Sequence, residues 1–188
     1  MNGFRQFSFA GRRSTSLALI LPQLLLAGCG GLQPNDHAAV ALTFDPFEFF
    51  SGHTQAWGVV QDWRGRVTRQ FSVTIEGSTD GGVLTLDEAF EYADGEQSQR
   101  VWRIERDDDG RLSGRANDIV GQAEGATGGN AMHFRYTMYL SVDGRNISVD
   151  FDDWMWQIDG ETLLNRSKIK KLGITVGAFT LFMRRGSS

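Results

Sequence analysis

The feature that most constrains this chain is a rhythm of turns. Arg64-Gly65, Gly77 to Gly82, Asp94-Gly95, Asp107 to Gly110, Gly128-Gly129-Asn130, Asp143-Gly144 and Asp159-Gly160 follow one another, most of them roughly fifteen residues apart. Pairs of the Asp-Gly kind supply the positive φ that tight hairpins require. Between them lie segments rich in β-branched and aromatic residues, alternating apolar and polar with period two, as strands with one buried face do. No proline follows Pro46, and nothing beyond it carries a helical repeat of useful length. The chain therefore reads as all-β, an antiparallel meander of about ten strands at 54–63, 66–76, 83–92, 97–106, 111–118, 121–127, 131–141, 145–157, 161–169 and 174–184. Closing such a meander into a barrel leaves no unpaired edge. A two-sheet sandwich is the alternative. A membrane-spanning barrel would need an uncharged outer phase, and Arg103, Glu105 and Asp152 occupy that phase here.

Ahead of the meander, Phe44-Asp45-Pro46-Phe47-Glu48-Phe49-Phe50-Ser51-Gly52 reads as one capped helical turn. Asp45 suits the N-cap, Pro46 the first helical position and Gly52 the stop. Its four phenylalanines need cover, and the simplest arrangement is a plug over one end of the core. From Gly30 to about Ala41 the chain is small and polar, as a spacer is.

The first 28 residues carry Arg5, Arg12 and Arg13 with no acid, then an apolar run from Leu17 to Leu26. That is the order of an export signal, and the run falls well short of the roughly twenty residues needed to span a bilayer. It ends in Leu26-Ala27-Gly28 directly before Cys29, the only cysteine of the chain. These four residues resemble a bacterial lipobox. The resemblance implies cleavage after Gly28, acylation of Cys29, a lipidated N-terminus and linker at 29–43 and a folded domain at 44–188. Because Gly30 rather than Asp follows the cysteine, it also implies the periplasmic face of an outer membrane. A single cysteine excludes an internal disulfide framework, so the domain depends on its core. The whole chain has a net charge of −4, and losing the three leader arginines makes the remainder more acidic still. A phosphate backbone is a poor partner for such a chain.

Alternation exposes an oddity. Strand 66–76 puts Arg69 in phase with Val67, Phe71, Val73 and Ile75, and strand 83–92 puts Glu88 with Leu84, Leu86, Phe90 and Tyr92. Arg100 falls with Trp102 and Ile104, and Asp153 with Ile147, Val149, Phe151 and Met155. If these faces point inward, Arg69, Glu88, Arg100 and Asp153 enter the interior with two charges of each sign, where each needs a partner. They read either as a structural ion-pair network or as a cluster able to hold the polar head of an amphipathic ligand. Asn165 and Arg166 are further candidates, with the inward one of the two left open by the pattern. Trp154 and Trp156 fall on the face opposite Asp153, to be covered by the phenylalanine turn or by 169–173. Lys168, Lys170 and Lys171 read as a solvated turn.

Other chemistry is thinly represented. His37, His53 and His133 have no metal-ligand spacing, and the acidic run at 107–110 has Leu112 where a calcium loop of the EF-hand kind needs glycine. No phosphate loop, dinucleotide fingerprint or nucleophile elbow is present, and no cofactor is implied. Asp152 and Asp153, adjacent on a strand, point to opposite faces and form no dyad.

Phe44-Asp45, a short helix, Gly52 and Trp57 are similar to the start of lipocalins, with the tryptophan three residues later than in that family. Ala56-Trp57-Gly58, Arg100-Val101-Trp102-Arg103, Asp152-Asp153-Trp154-Met155-Trp156 and Asn165-Arg166 together resemble a family of Gram-negative lipoproteins known only as a domain of unknown function, over about Phe44 to Arg184. That resemblance implies a periplasm-facing lipoprotein with links to fatty-acid modification. The reading is thus an outer-membrane-anchored lipoprotein binding or carrying a small amphipathic ligand, a fatty acid or modified lipid. The alternatives are a calycin-like enzyme with Glu88 and Asp153 as acid and base, or an envelope interaction module. The sequence fixes no oligomeric state. Replacing Cys29 with Ala is expected to leave the chain uncleaved or soluble. Unchanged membrane fractionation and unchanged N-terminal mass in that variant contradict the lipobox.

Overall fold

Ten strands form where the alternation places them: β1 (Gly52–Asp62), β2 (Val67–Asp80), β3 (Val83–Tyr92), β4 (Gln97–Arg106), β5 (Arg111–Ala116), β6 (Ile119–Gly128), β7 (Ala131–Val142), β8 (Arg145–Gln157), β9 (Thr162–Lys171) and β10 (Ile174–Arg185). The computed structural model describes residues 31–39, 41–142 and 144–186, so the leader and Cys29 lie outside the described residues. From Leu32 onward the chain is one compact unit. Each strand pairs antiparallel with its sequence neighbours, and β1 pairs with β10 to close the barrel.

Turn chemistry acts as read. In the β4–β5 hairpin the Asp107 carboxylate accepts from the backbone N–H groups of Asp109 and Arg111, and Gly110 takes φ +78°. The acidic run is a hairpin turn. The run from Gly77 to Gly82 differs from its reading: the β2–β3 ladder continues to Asp80↔Val83, leaving only Gly81-Gly82 as the turn. Gly77 is a strand glycine with another task. A Cβ there would lie 1.7 Å from the Phe50 carbonyl oxygen.

Phe50 belongs to the plug. Helix α1 (Pro46–Phe49) is capped by Asp45, whose side chain accepts from Phe47 N at 2.9 Å and pairs with Arg106 at 2.7 Å. Phe44, Phe49 and Phe50 pack edge to face, with Phe49 and Phe50 centroids 5.1 Å apart, and all are at most 3 % exposed. They close the end of the barrel where β1 begins and β2 ends. The other end, ringed by the β1–β2, β3–β4, β5–β6, β7–β8 and β9–β10 turns, is the mouth.

The glycines of β5 and β6 have a packing cause too. A Cβ on Gly114 or Gly125 would lie 2.7 or 2.4 Å from the ring of Phe134, which fills the interior from β7. Large and small residues exchange volume across the wall, so these polar, glycine-rich strands still bury a full core.

Residues 34–37 are not a free spacer. Pro34–His37 forms a 3₁₀ turn packed on β6 and β7. Gly128 and Gly129 make this approach possible, since a Cβ on Gly129 would sit 2.0 Å from the His37 carbonyl oxygen. The His37 ring lies edge-on to Trp154 and Trp156, and Trp156 Nε1 donates to His37 Nε2 at 3.4 Å. His133 stacks on Trp154 with centroids 4.3 Å apart. The outer tryptophans are therefore covered by two histidines, whereas the phenylalanine turn, one of the two segments expected there, packs at the end of the core.

Gly77→Ala is expected to push the Phe50 backbone off its seat and to lower stability by about 1–3 kcal/mol, the range for overpacking. Thr79→Ala, exposed on the same strand, is expected to be near neutral. Urea unfolding of the two variants measures the difference.

Candidate functional site

Inward side chains change character along the barrel axis. Toward the plug, Val73, Ile75, Leu84, Ile104, Met132 and Leu163 are 0–4 % exposed. Toward the mouth, Phe71, Phe90, Leu140, Ile147 and Phe179 are only partly buried although they point to the same interior. The apolar walls of this half are thus less fully covered than those beside the plug.

Between these halves the wall turns polar. Glu88 on β3 and Arg100 on β4 are ladder partners, with Arg100 Nη1 4.0 Å from Glu88 Oε2. Asp118, in the β5–β6 turn, takes the other side of the guanidinium: Nε donates at 2.9 Å and Nη2 lies at 2.7 Å. Arg100 also reaches Met138 Sδ and lies over the Phe90 ring. Asp153 on β8 is 4 % exposed and accepts from Asn165 Nδ2 through Oδ1, while that same amide donates to the Trp154 carbonyl at 2.9 Å. Ser167, opposite Asp153 in the β8–β9 ladder, is fully buried, and its hydroxyl lies close enough to Asp153 to help hold that carboxyl's pKa down. Tyr136 on β7 completes the ring, stacked on Phe151 and edge-on to Trp102.

The environment tunes these groups strongly. Burial pushes the Glu88 carboxyl up to about 7, against the pull of Arg100 and with a further push from Asp118 and Asp153. Burial likewise raises Asp153 to about 7, partly offset by the Asn165 hydrogen bond and the charge of Arg100. Burial works against the charge of Arg100, but Glu88, Tyr136 and Asp118 more than offset it, so its pKa rises above the ordinary value. Tyr136 is held well above the usual tyrosine range, first by burial and then by the charge of Asp153. Groups poised this way can exchange protons near neutral pH or grip a polar guest.

Of the six residues singled out in the sequence, four meet here: Glu88, Arg100, Asp153 and Asn165. Arg69 does not. It lies beyond the last β2–β3 ladder pair, Phe71↔Tyr92, against the β3–β4 turn, where its guanidinium pairs with Asp94 and Glu96 and covers the Tyr92 ring at 3.5 Å. It is a residue of the rim. Arg166 is exposed on the outer face, because the β9 alternation turns Asn165 and Ser167 inward. Asp118, Tyr136 and Ser167 are additions. Tyr136 and Ser167 share an inward phase with buried neighbours and were readable by alternation, whereas Asp118 sits in a turn and emerges only from the β4–β5 register.

Two surface concavities lie elsewhere. One, of about 750 Å³, runs over the outside of the wall between Trp57, Gln70, Leu164 and Phe182; the other, of about 520 Å³, crosses Gln55, Thr74, Gln97 and Gln99. Both are open surface grooves away from the buried polar cluster. Among the described residues, no three of His, Cys, Asp and Glu converge as a metal set.

A closed ten-strand antiparallel meander with a helical plug defines a calycin-like barrel, here with charges inside. The chain belongs to the family described as "Protein of unknown function (DUF3833)", whose model matches residues 23–185. No curated protein matches it. A solved structure, the S-type phycobiliprotein lyase CPES from Guillardia theta, is similar with a TM-score of 0.53 over 76 % of this chain and 91 % of that one, at 10 % identity. The likeness is one of fold.

The two raised carboxyls give stability a definite pH dependence. Both bind a proton more tightly folded than unfolded, so the folded chain holds more protons between their ordinary values, 4.5 and 3.8, and about 7. Stability is expected to fall as pH rises through this window and to level off above it. Glu88→Gln is expected to remove roughly half of that part of the fall. Thermal unfolding of wild type and variant from pH 4 to pH 8, read as the difference between them, measures it.

Proposed function

We propose that this protein is an outer-membrane-anchored lipoprotein, held at the periplasmic face through acylated Cys29, whose barrel binds or carries a small amphipathic ligand of the fatty-acid or modified-lipid kind. One observation carries the binding role: partly buried apolar walls lead from the mouth to a cluster of Glu88, Arg100, Asp118, Asp153 and Asn165 in which Asp153 and Asn165 are buried. An apolar tail suits the open half and a polar head suits the cluster, which is the division of labour found in ligand pockets. The similar barrel of a phycobiliprotein lyase supports the architecture. The anchor rests on the leader and the four-residue motif ending at Cys29, and several acyl chains would make it a stable one.

A second reading has a specific basis. Two carboxyls poised at about 7 in one interior are suited to acid–base chemistry on a lipid. Under it, Glu88→Gln or Asp153→Asn abolishes turnover and spares binding.

Native mass spectrometry of gently released protein is expected to show a retained small molecule. Ile147→Trp, which fills the mouth from an inward position, is expected to reduce that adduct by about tenfold, a loss equivalent to about 1.4 kcal/mol of binding. Absence of any retained or rebindable amphiphile, with the fold intact by circular dichroism, defeats the proposal.

A further inference from the structure

The charges inside the barrel do not balance. Glu88, Asp118 and Asp153 face a single cation, Arg100. That cation gives Nε and Nη2 to Asp118, while Nη1 stands 4.0 Å from Glu88. An incoming anion would therefore meet one cation already outnumbered by carboxyls. The acceptors are not committed in the same way. Glu88 accepts no hydrogen bond of normal length from a described residue, its guanidinium neighbour being 4.0 Å away. Asp153 is engaged by Asn165 through Oδ1. Beside it the buried Ser167 hydroxyl faces the same carboxyl from the next strand. A fourth carboxylate brought here would meet three carboxyls set around one arginine, and like charges in such a setting repel.

Resting on the binding reading above, the structure assigns to this site a ligand whose head donates hydrogen bonds, an amine-bearing or hydroxylated lipid derivative, in preference to a free fatty-acid carboxylate. Glu88 and Asp153 accept from that head, and the Ser167 hydroxyl donates to it where it carries oxygen. Arg100 acts as a positioning residue: it holds the Asp118 carboxyl and stands beside Glu88. Of the two ligand kinds named above, this selects the modified lipid.

The test uses residues 30–188 without the leader, since every strand, the plug and the 3₁₀ turn lie between Leu32 and Gly186 in one compact unit. Dodecylamine, dodecanol and dodecanoate, with equal tails and different heads, are titrated below micelle concentration at pH 8 by isothermal calorimetry. Dodecylamine is expected to bind at least about tenfold more tightly than dodecanoate, with dodecanol between them. Glu88→Gln and Asp153→Asn are each expected to shrink the amine's advantage to less than about threefold while dodecanol binding persists. Dodecanoate binding as tightly as dodecylamine overturns the head-group assignment and leaves the binding role standing. An amine advantage unchanged in both variants traces it to the acidic exterior and also overturns the assignment. If none of the three binds, the interior-binding role itself falls, and this inference falls with it.

Discussion

The ladder between β1 and β10 is the constraint on which the rest depends. Nine ladder pairs, from Thr54↔Arg185 to Asp62↔Gly177, join residues from opposite ends of the folded region. Until they form, the sheet has two bare edges and its inner face is open to water. The burial of Glu88, Arg100 and Asp153 is thus a product of closure, and so is every pKa raised by that burial. The plug depends on the same step, for Phe50 rests against Gly77 of β2 while Ser51 and His53 accept hydrogen bonds from Arg185 at the end of β10 and from Gly186 just beyond it. Such long-range pairing brings high contact order and slow formation.

A closed shell filled only with apolar groups would be easier to stabilise. Buried ion pairs often contribute less than hydrophobic residues of equal volume, and a surplus of one sign is worse. Here the surplus is negative and sits midway along the axis, between apolar walls that are partly buried and apolar walls that are fully buried. A network serving stability alone would match its charges. Holding carboxyls near neutrality is the kind of departure from the stability optimum that sites display and structural cores avoid.

Much of this was legible in the sequence because two periodicities agreed. Turn signals set strand ends, and alternation set strand faces, so Glu88, Arg100 and Asp153 could be placed inside before any coordinates. Alternation says which face a side chain starts from but not what waits at its tip. Arg69 begins on the inner phase and ends at the rim because the β3–β4 turn offers Asp94 and Glu96. Asp118 is the converse, read as the end of strand 111–118 but lying in the β5–β6 turn, where the β4–β5 register carries it beside Arg100. The glycines hid their purpose. Gly77 and Gly129 read as turn formers, yet their contacts show them yielding space to Phe50 and His37. Close approach between distant segments leaves no periodic trace.

The seating of the N-terminal segment has a mechanical consequence. Phe44 N donates to the Gly129 carbonyl at 2.8 Å, and Pro34–His37 lies in the cradle of Gly128 and Gly129. A pull applied at Leu32 therefore enters the shell through the β6–β7 turn, at the stoppered base. Load of that kind must peel the 3₁₀ turn and break the Phe44 hydrogen bond before it can strain the strands that carry Glu88 and Arg100. The base behaves as a strain relief, and the lip keeps its shape while the molecule is tugged.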